Sequence, residues 1–150
     1  MALRVSSPAF ADGAAIPQKY TCDGQNVAPP LELSGVPNGS KSIAVIFDAP
    51  DAPSGTFTHW VLYDVPASKH TIAEQAVVGK AGVNDFGNTG FGGPCPPKKD
   101  GAHHYHFRVY ALDTTSLGPP GLSKQDALAA MEGHVLDEGE LTGTYQRASA

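Results

Sequence analysis

Basic residues are few. Lys and Arg number 10 in 150 residues against 15 Asp and Glu, a net charge of −5. They are scattered singly, and the one adjacent pair, Lys98-Lys99, sits beside Asp100. A nucleic-acid backbone is tracked by clustered cations, so that class of partner is excluded. Long apolar runs are missing too. The longest, 43–47, is the size of a strand, far short of the ~20 residues that span a bilayer. No charged segment followed by an apolar one opens the chain, so no secretory leader is read there and a cytoplasmic location is expected. Cysteine is scarce, with only Cys22 and Cys95. Their spacing fits neither a CxxC redox motif nor a zinc framework. Two free thiols are the default in a reducing compartment, and a bridge requires the fold to bring the two together. Catalytic fingerprints are also lacking: there is no Gly-x-Ser-x-Gly elbow, no Walker loop and no dinucleotide motif.

What the chain has in excess is Gly (17) and Pro (13), together one residue in five, against roughly 12% in an average chain. These are the poorest helix formers, which excludes a helical bundle. Disorder is excluded as well, because 41% of residues are hydrophobic and only 17% charged. What remains is a loop-rich, all-β domain. The length fits one domain, 1–150, around a single core.

Prolines 8, 17, 29, 30 and 37 break the first forty residues into short pieces, with strands expected at 3–6 and 31–33. The continuous apolar run 42–48 predicts a buried strand, and 59–65 a second. A long loop follows over 79–102, with seven glycines and the run Gly93-Pro94-Cys95-Pro96-Pro97. Loops beyond ~12–15 residues are usually functional or disordered. Phe86 and Phe91 would anchor this one as an ordered, functional loop. The segment 103–112 alternates: His103, Tyr105, Phe107, Val109 and Ala111 lie on one face, which turns apolar along its length and points to the core. Ser123 with Asp126 three residues on marks a helix start, and Ala127, Ala130 and Met131 form its stripe. Gly133 stops this helix, or it runs on to Glu138; a last strand is expected at 140–145.

Two constellations stand out. Asp48-Ala49-Pro50-Asp51-Ala52-Pro53 leads into His59-Trp60, so a proline-fixed loop carries a carboxylate and an imidazole toward one sheet end. The bland alternative is a proline-rich turn with solvated acids. Gly92-Gly93-Pro94-Cys95-Pro96-Pro97 precedes His103 and Tyr105. Glycines there permit close backbone approach, and successive N–H groups can line an anion site. A third pattern, His104-x-His106, puts two imidazoles on one strand face, a metal-ligand spacing. Arg108 on that face opposes a cation, which favours a solvated sheet surface. Cys95 near His103 makes a Cys-His pair conceivable, but a cysteine between prolines is also simply a rigid loop position.

Taken in order, these motifs resemble the phosphatidylethanolamine-binding protein family, in its short bacterial and archaeal branch of Raf-kinase-inhibitor-like proteins. The likeness runs through Tyr20-Thr21-Cys22-Asp23-Gly24 with Asn26, Pro29-Pro30-Leu31, Ala49 to Pro53, His59-Trp60 and Gly82-x-Asn84-Asp85-Phe86. It continues through Gly93 to Pro97, Gly101-x-His103-x-Tyr105-x-Phe107, and Met131 to Leu136 with Gly143-Thr144-Tyr145. The resemblance implies a β-sandwich of two antiparallel sheets with Greek-key topology and one or two short C-terminal helices. It implies a small pocket at a sheet end for phosphate, acetate or a phospholipid head group, formed by Asp51, His59, His103 and Tyr105 with backbone walls at Ala52, Gly93, Cys95 and Pro96. Family members are described as binding head groups and modulating kinases or proteases, without an established catalytic activity, cofactor or metal. A homodimer is expected on the same ground. There are two departures. The family's first pocket acid is replaced by Ala49, and Asp48, one residue earlier, should face the other way. Where the family commonly has Arg between the pocket histidine and tyrosine, His104 stands.

Histidines titrating near pH 6.5 would make such a pocket tunable, and a neighbouring carboxylate would favour the imidazolium. The leading reading is therefore a non-catalytic binder of small anions or phospholipid head groups. The alternatives are a protein-directed inhibitor that uses the pocket rim, and an enzyme, either metal-dependent through His104 and His106 or hydrolytic through Cys95 and His103.

Overall fold

The segment Ser42–Ala49 is apolar at nearly every position, and it becomes the central strand of the molecule. In the computed structural model, which describes residues 3–50, 55–72, 74, 78–96 and 102–146, all eight of its residues are buried. In chain order the strands are β1 (Arg4–Ser6), β2 (Leu31–Ser34), β3 (Ser42–Ala49), β4 (Phe57–Pro66), β5 (Thr71–Ile72), β6 (Lys80–Ala81), β7 (His103–Leu112) and β8 (Val135–Tyr145). A 3-10 turn at Gln18–Tyr20 and one α-helix, α1 (Lys124–Met131), complete the described elements.

The strands form two antiparallel sheets, β1-β2-β5 and β6-β4-β3-β7-β8. In the larger sheet β3, β4 and β6 lie side by side, and β7 returns to pair with β3 on its other flank. That order is a Greek key, with β5 contributed to the smaller sheet on the way. The expected β-sandwich class is therefore observed.

Burial on both faces explains the composition of β3. Ile43, Val45, Phe47 and Ala49 enter the core between the sheets, packed on Leu31, Leu33 and Ile72 from the smaller one. Ala44 and Ile46 face outward and are covered by Ala127 and Met131 of α1. The helix starts where the sequence places it, with Ser123 Oγ accepting from the Asp126 N–H at 3.0 Å. It does not run on to Glu138. Gly133, at φ +83°, turns the chain, and β8 begins at Val135, five residues before the expected strand. Strand β7 has the expected limits, and all five residues of its core face are buried.

Strand β4 carries a device that alternation does not reveal. Phe47 opposes Trp60 while Asp48 opposes Thr58, so His59 is an extra residue in the ladder. Such a bulge re-aims a side chain. Here His59 and its neighbour Trp60 both meet Phe47 or its partners on the inner face, instead of pointing to opposite sides.

Candidate functional site

The inner faces of β3, β4 and β7 end together in an aromatic cluster. Phe47 stacks on Phe107 at 3.9 Å and on Phe91 at 5.7 Å, and it meets Tyr105 at 5.9 Å and His59 at 5.4 Å between ring centroids. His59 and Tyr105 face each other edge-on at 5.4 Å. Phe57 at 4.8 Å and Phe86 at 5.4 Å close the other sides of the imidazole. His59, His103 and Tyr105 are all buried, and His103 lies two residues before Tyr105 on the same face of β7. The result is an aromatic cluster at one end of the core in which imidazole and phenol groups are buried side by side.

The loop between β6 and β7 is held against this cluster by polar side chains and backbone groups. Asn84 Oδ1 accepts from the N–H groups of Phe86 and Asn88 at 3.0 and 3.2 Å, and its Nδ2 donates to Gly90 O at 3.0 Å. Asp85 Oδ2 accepts from the Thr58 N–H at 2.7 Å. Gly92 is bound twice to His59: its N–H donates to His59 O at 2.9 Å, and its carbonyl accepts from His59 Nδ1 at 2.8 Å. The Gly93 N–H donates to Asn26 Oδ1 at 2.8 Å. The N–H groups of Gly92 and Gly93 are thus engaged within the protein and do not form the anion nest the sequence proposes. These glycines serve packing instead. A Cβ on Gly92 would enter the Phe86 ring, and one on Gly93 would strike Tyr20 O and Asn26 Oδ1.

The two cysteines are bonded. Cys22 and Cys95 form a disulfide with Cα atoms 5.4 Å apart, across 73 residues of sequence. The default of two free thiols is therefore corrected, and with it the thiol argument for a reducing compartment. Cys95 cannot act as a thiol nucleophile while so bonded. The bridge sits beside a second tie, from the Cys22 N–H to Pro94 O at 3.1 Å. Nearby, Tyr145 OH donates to Asp23 Oδ2 at 2.6 Å, on the β8 residue that opposes His103.

Burial decides the protonation of His59. It pushes the imidazole down to about 4, and the Gly92 carbonyl, which favours the charged ring, only partly offsets it. The expectation of a favoured imidazolium is therefore reversed for this residue. At neutral pH the ring is neutral with its proton on Nδ1, donated to Gly92 O, and Nε2 carries the lone pair. This has a sign for stability. The unfolded chain binds the proton near pH 6.5, the folded one only near pH 4, so stability falls as pH drops through that window and levels off below it. The loss attached to His59 should be about 3 kcal/mol between pH 7 and pH 4. Urea unfolding at both pH values should show a His59→Phe variant losing less stability than wild type by that amount; equal losses would refute it.

Of the site residues named from the sequence, His59 and Tyr105 meet at one end of the core, His103 is buried on the same face of β7, and Gly93 follows Gly92, which is bonded to His59. Asp51 and Ala52 lie outside the described residues. Asp48 is on the outer face, as the one-residue shift implied: its Oδ2 pairs with Lys124 Nζ at 2.8 Å and Arg108 Nη1 at 3.2 Å. His106 Nδ1 lies 3.1 Å from Glu140 Oε2, which also accepts from Arg108 Nε. Among the described residues no three His, Cys, Asp or Glu side chains group as a metal ion would require. Residue-type reasoning underrated Asn26, whose left-handed backbone (φ +59°) aims its amide at Gly93. An Asn shortly after Asp-Gly was the available signal.

Fold and site together define a two-sheet antiparallel β protein with a buried imidazole and phenol packed together beside a glycine-proline loop. The chain belongs to the phosphatidylethanolamine-binding protein family, whose model matches residues 6–146. It is 48% identical to a UPF0098 protein of Pyrococcus horikoshii, over 98% of this chain and 78% of that one. It is 46% identical to a UPF0098 protein of Aquifex aeolicus, over 97% and 89%. Among solved structures it is similar to a putative phosphatidylethanolamine-binding protein homolog from Chlamydia trachomatis (TM-score 0.92, 38% identity, 97% and 98% covered). It is also similar to YbcL of E. coli, a member of the mammalian PEBP family (TM-score 0.90, 31% identity, 98% and 99% covered). Among the described residues no helix is long and apolar enough to cross a membrane.

Proposed function

We propose that a recess beside His59 and Tyr105 binds a small anion, free or as the phosphate of a phospholipid head group, and performs no chemistry on it. The observation that carries this reading is the buried His59 beside Tyr105, with Nδ1 locked onto Gly92 O. A ring so fixed offers a ligand one polar atom, Nε2. In the neutral ring Nε2 only accepts a hydrogen bond. An anion held there therefore binds together with a proton, brought by the ligand or taken from solvent. Binding without catalysis is favoured because Cys95 is held in the disulfide and no other activated nucleophile is present among the described residues of the recess.

The test is calorimetry with sulfate, which does not titrate near neutrality, in buffers of different ionisation enthalpy. Uptake of close to one proton per sulfate is expected, with affinity rising up to about tenfold per pH unit as pH falls from 7 toward 5. His59→Phe, which keeps the ring packing, should weaken binding by tenfold or more. Binding that is insensitive to both pH and His59 would refute the reading. With Ala49 in the family's acid position and Asp48 turned outward, phosphate should bind about as well as phosphoethanolamine. A marked preference for the zwitterion would show that an ammonium partner exists after all.

A further inference from the structure

We infer that the Cys22–Cys95 bridge is a thiol–disulfide exchange site that sets the affinity of the recess, an inference resting on the anion-binding reading above. The bridge does not sit in the core. Cys95 is exposed and Cys22 partly so, which leaves the sulfurs reachable by an attacking thiolate. It joins two segments, and the second of them holds His59 through Gly92. On one side is the turn after the 3-10 segment, with Cys22, Asp23 and Asn26; on the other is the loop Gly92-Gly93-Pro94-Cys95.

Besides the bridge, hydrogen bonds among the described residues tie these segments together: the Cys22 N–H donates to Pro94 O at 3.1 Å and the Gly93 N–H to Asn26 Oδ1 at 2.8 Å. Asn26 is itself exposed, so water competes for the second contact. The Gly92 carbonyl that sets the His59 tautomer is three residues from Cys95. Opening the bridge therefore loosens the support of the residue that orients the imidazole. The sheets should keep their packing, because the core cluster, from Leu3 to Leu141, includes neither cysteine.

The exchange balances with a dithiol reductant. A thiolate of the donor attacks the exposed Cys95 sulfur, forming a mixed disulfide and releasing Cys22 as thiolate, which takes up a proton. The donor's second thiolate then attacks its own sulfur in the mixed disulfide and frees Cys95, which is protonated in turn. Two electrons and two protons pass to the protein, and the donor leaves as its disulfide. Because linkage is reciprocal, bound anion makes the bridge harder to reduce by the same factor by which reduction weakens binding.

The experiment compares oxidised protein, protein reduced with dithiothreitol, and protein reoxidised after removal of the dithiol. Calorimetry with inorganic phosphate should show affinity falling about tenfold on reduction and returning on reoxidation. Amide hydrogen exchange should accelerate at Gly92 and Gly93 on reduction while the amides of β3 and β7 keep their protection. A Cys22→Ser/Cys95→Ser variant should match the reduced protein; should it fail to fold, the reduced wild type carries the comparison. Equal phosphate affinity in both redox forms, or unchanged exchange at Gly92 and Gly93, overturns the switch alone. Binding by neither form overturns the anion reading and the switch with it.

Discussion

Replacing Phe47 with alanine is expected to destabilise the protein by about 4 kcal/mol, from the cost of truncating a buried phenylalanine and leaving a cavity. The side chain has no exposed surface and is the common neighbour of Phe107, Phe91, His59 and Tyr105. These partners sit on three different segments, so no one of them can collapse into the space without leaving its own. Phe47→Leu should cost much less, roughly 1–1.5 kcal/mol, since most of the volume stays filled. The alanine variant should also lose part of the acid penalty at His59, because a hydrated cavity would relieve the burial that holds that imidazole neutral. Urea unfolding at pH 7 and pH 4 measures both effects. A loss below about 1.5 kcal/mol for the alanine variant would mean that the cluster repacks freely.

Lys124→Met should cost about 3 kcal/mol, because it strips a fully buried carboxylate of its nearer cation. Asp48 is 0% exposed, and among the described residues its Oδ1 has no hydrogen-bond partner. Its compensation comes through Oδ2, from Lys124 at 2.8 Å and Arg108 at 3.2 Å. The cations are partly exposed and can hydrate when left alone; the carboxylate cannot. Asp48→Asn should therefore be milder than Lys124→Met, and combining the two should recover most of the loss, giving a large coupling term in a double-mutant cycle. Additive losses would show that the cluster is not the electrostatic unit described here. The cluster also pins α1 to the larger sheet one residue away from Ala49, behind the recess.

Much of this architecture was legible before the structure. The apolar run of β3 announced a strand buried on both faces, and the alternation of β7 assigned His103 and Tyr105 to the core side. The Ser123 cap placed the helix start. The far end of α1 was less legible, because Val135 and Leu136 continue an apolar pattern that suits helix or strand. Pairing with Ala111 and Leu112 of β7 decided it. The glycine-proline loop was expected to line a ligand site, yet Gly92 and Gly93 are used for close packing against Phe86 and Tyr20. Sequence reasoning cannot separate close approach to a ligand from close approach to another part of the chain.

By itself the sequence determined the class of the fold, since Gly and Pro bar long helices and period-two patterns demand sheets. It also settled the side on which Asp48 would fall, because side chains alternate along an extended strand. Three things were decided only in the folded chain. The bulge at His59 overrode alternation and turned that residue and Trp60 to the same face. Burial among four aromatic rings moved below the neutral range an imidazole that would otherwise titrate close to it. And the approach of two loops 73 residues apart joined Cys22 to Cys95. Each depends on contacts between segments distant in the chain, and local periodicity carries no information about which segments will meet.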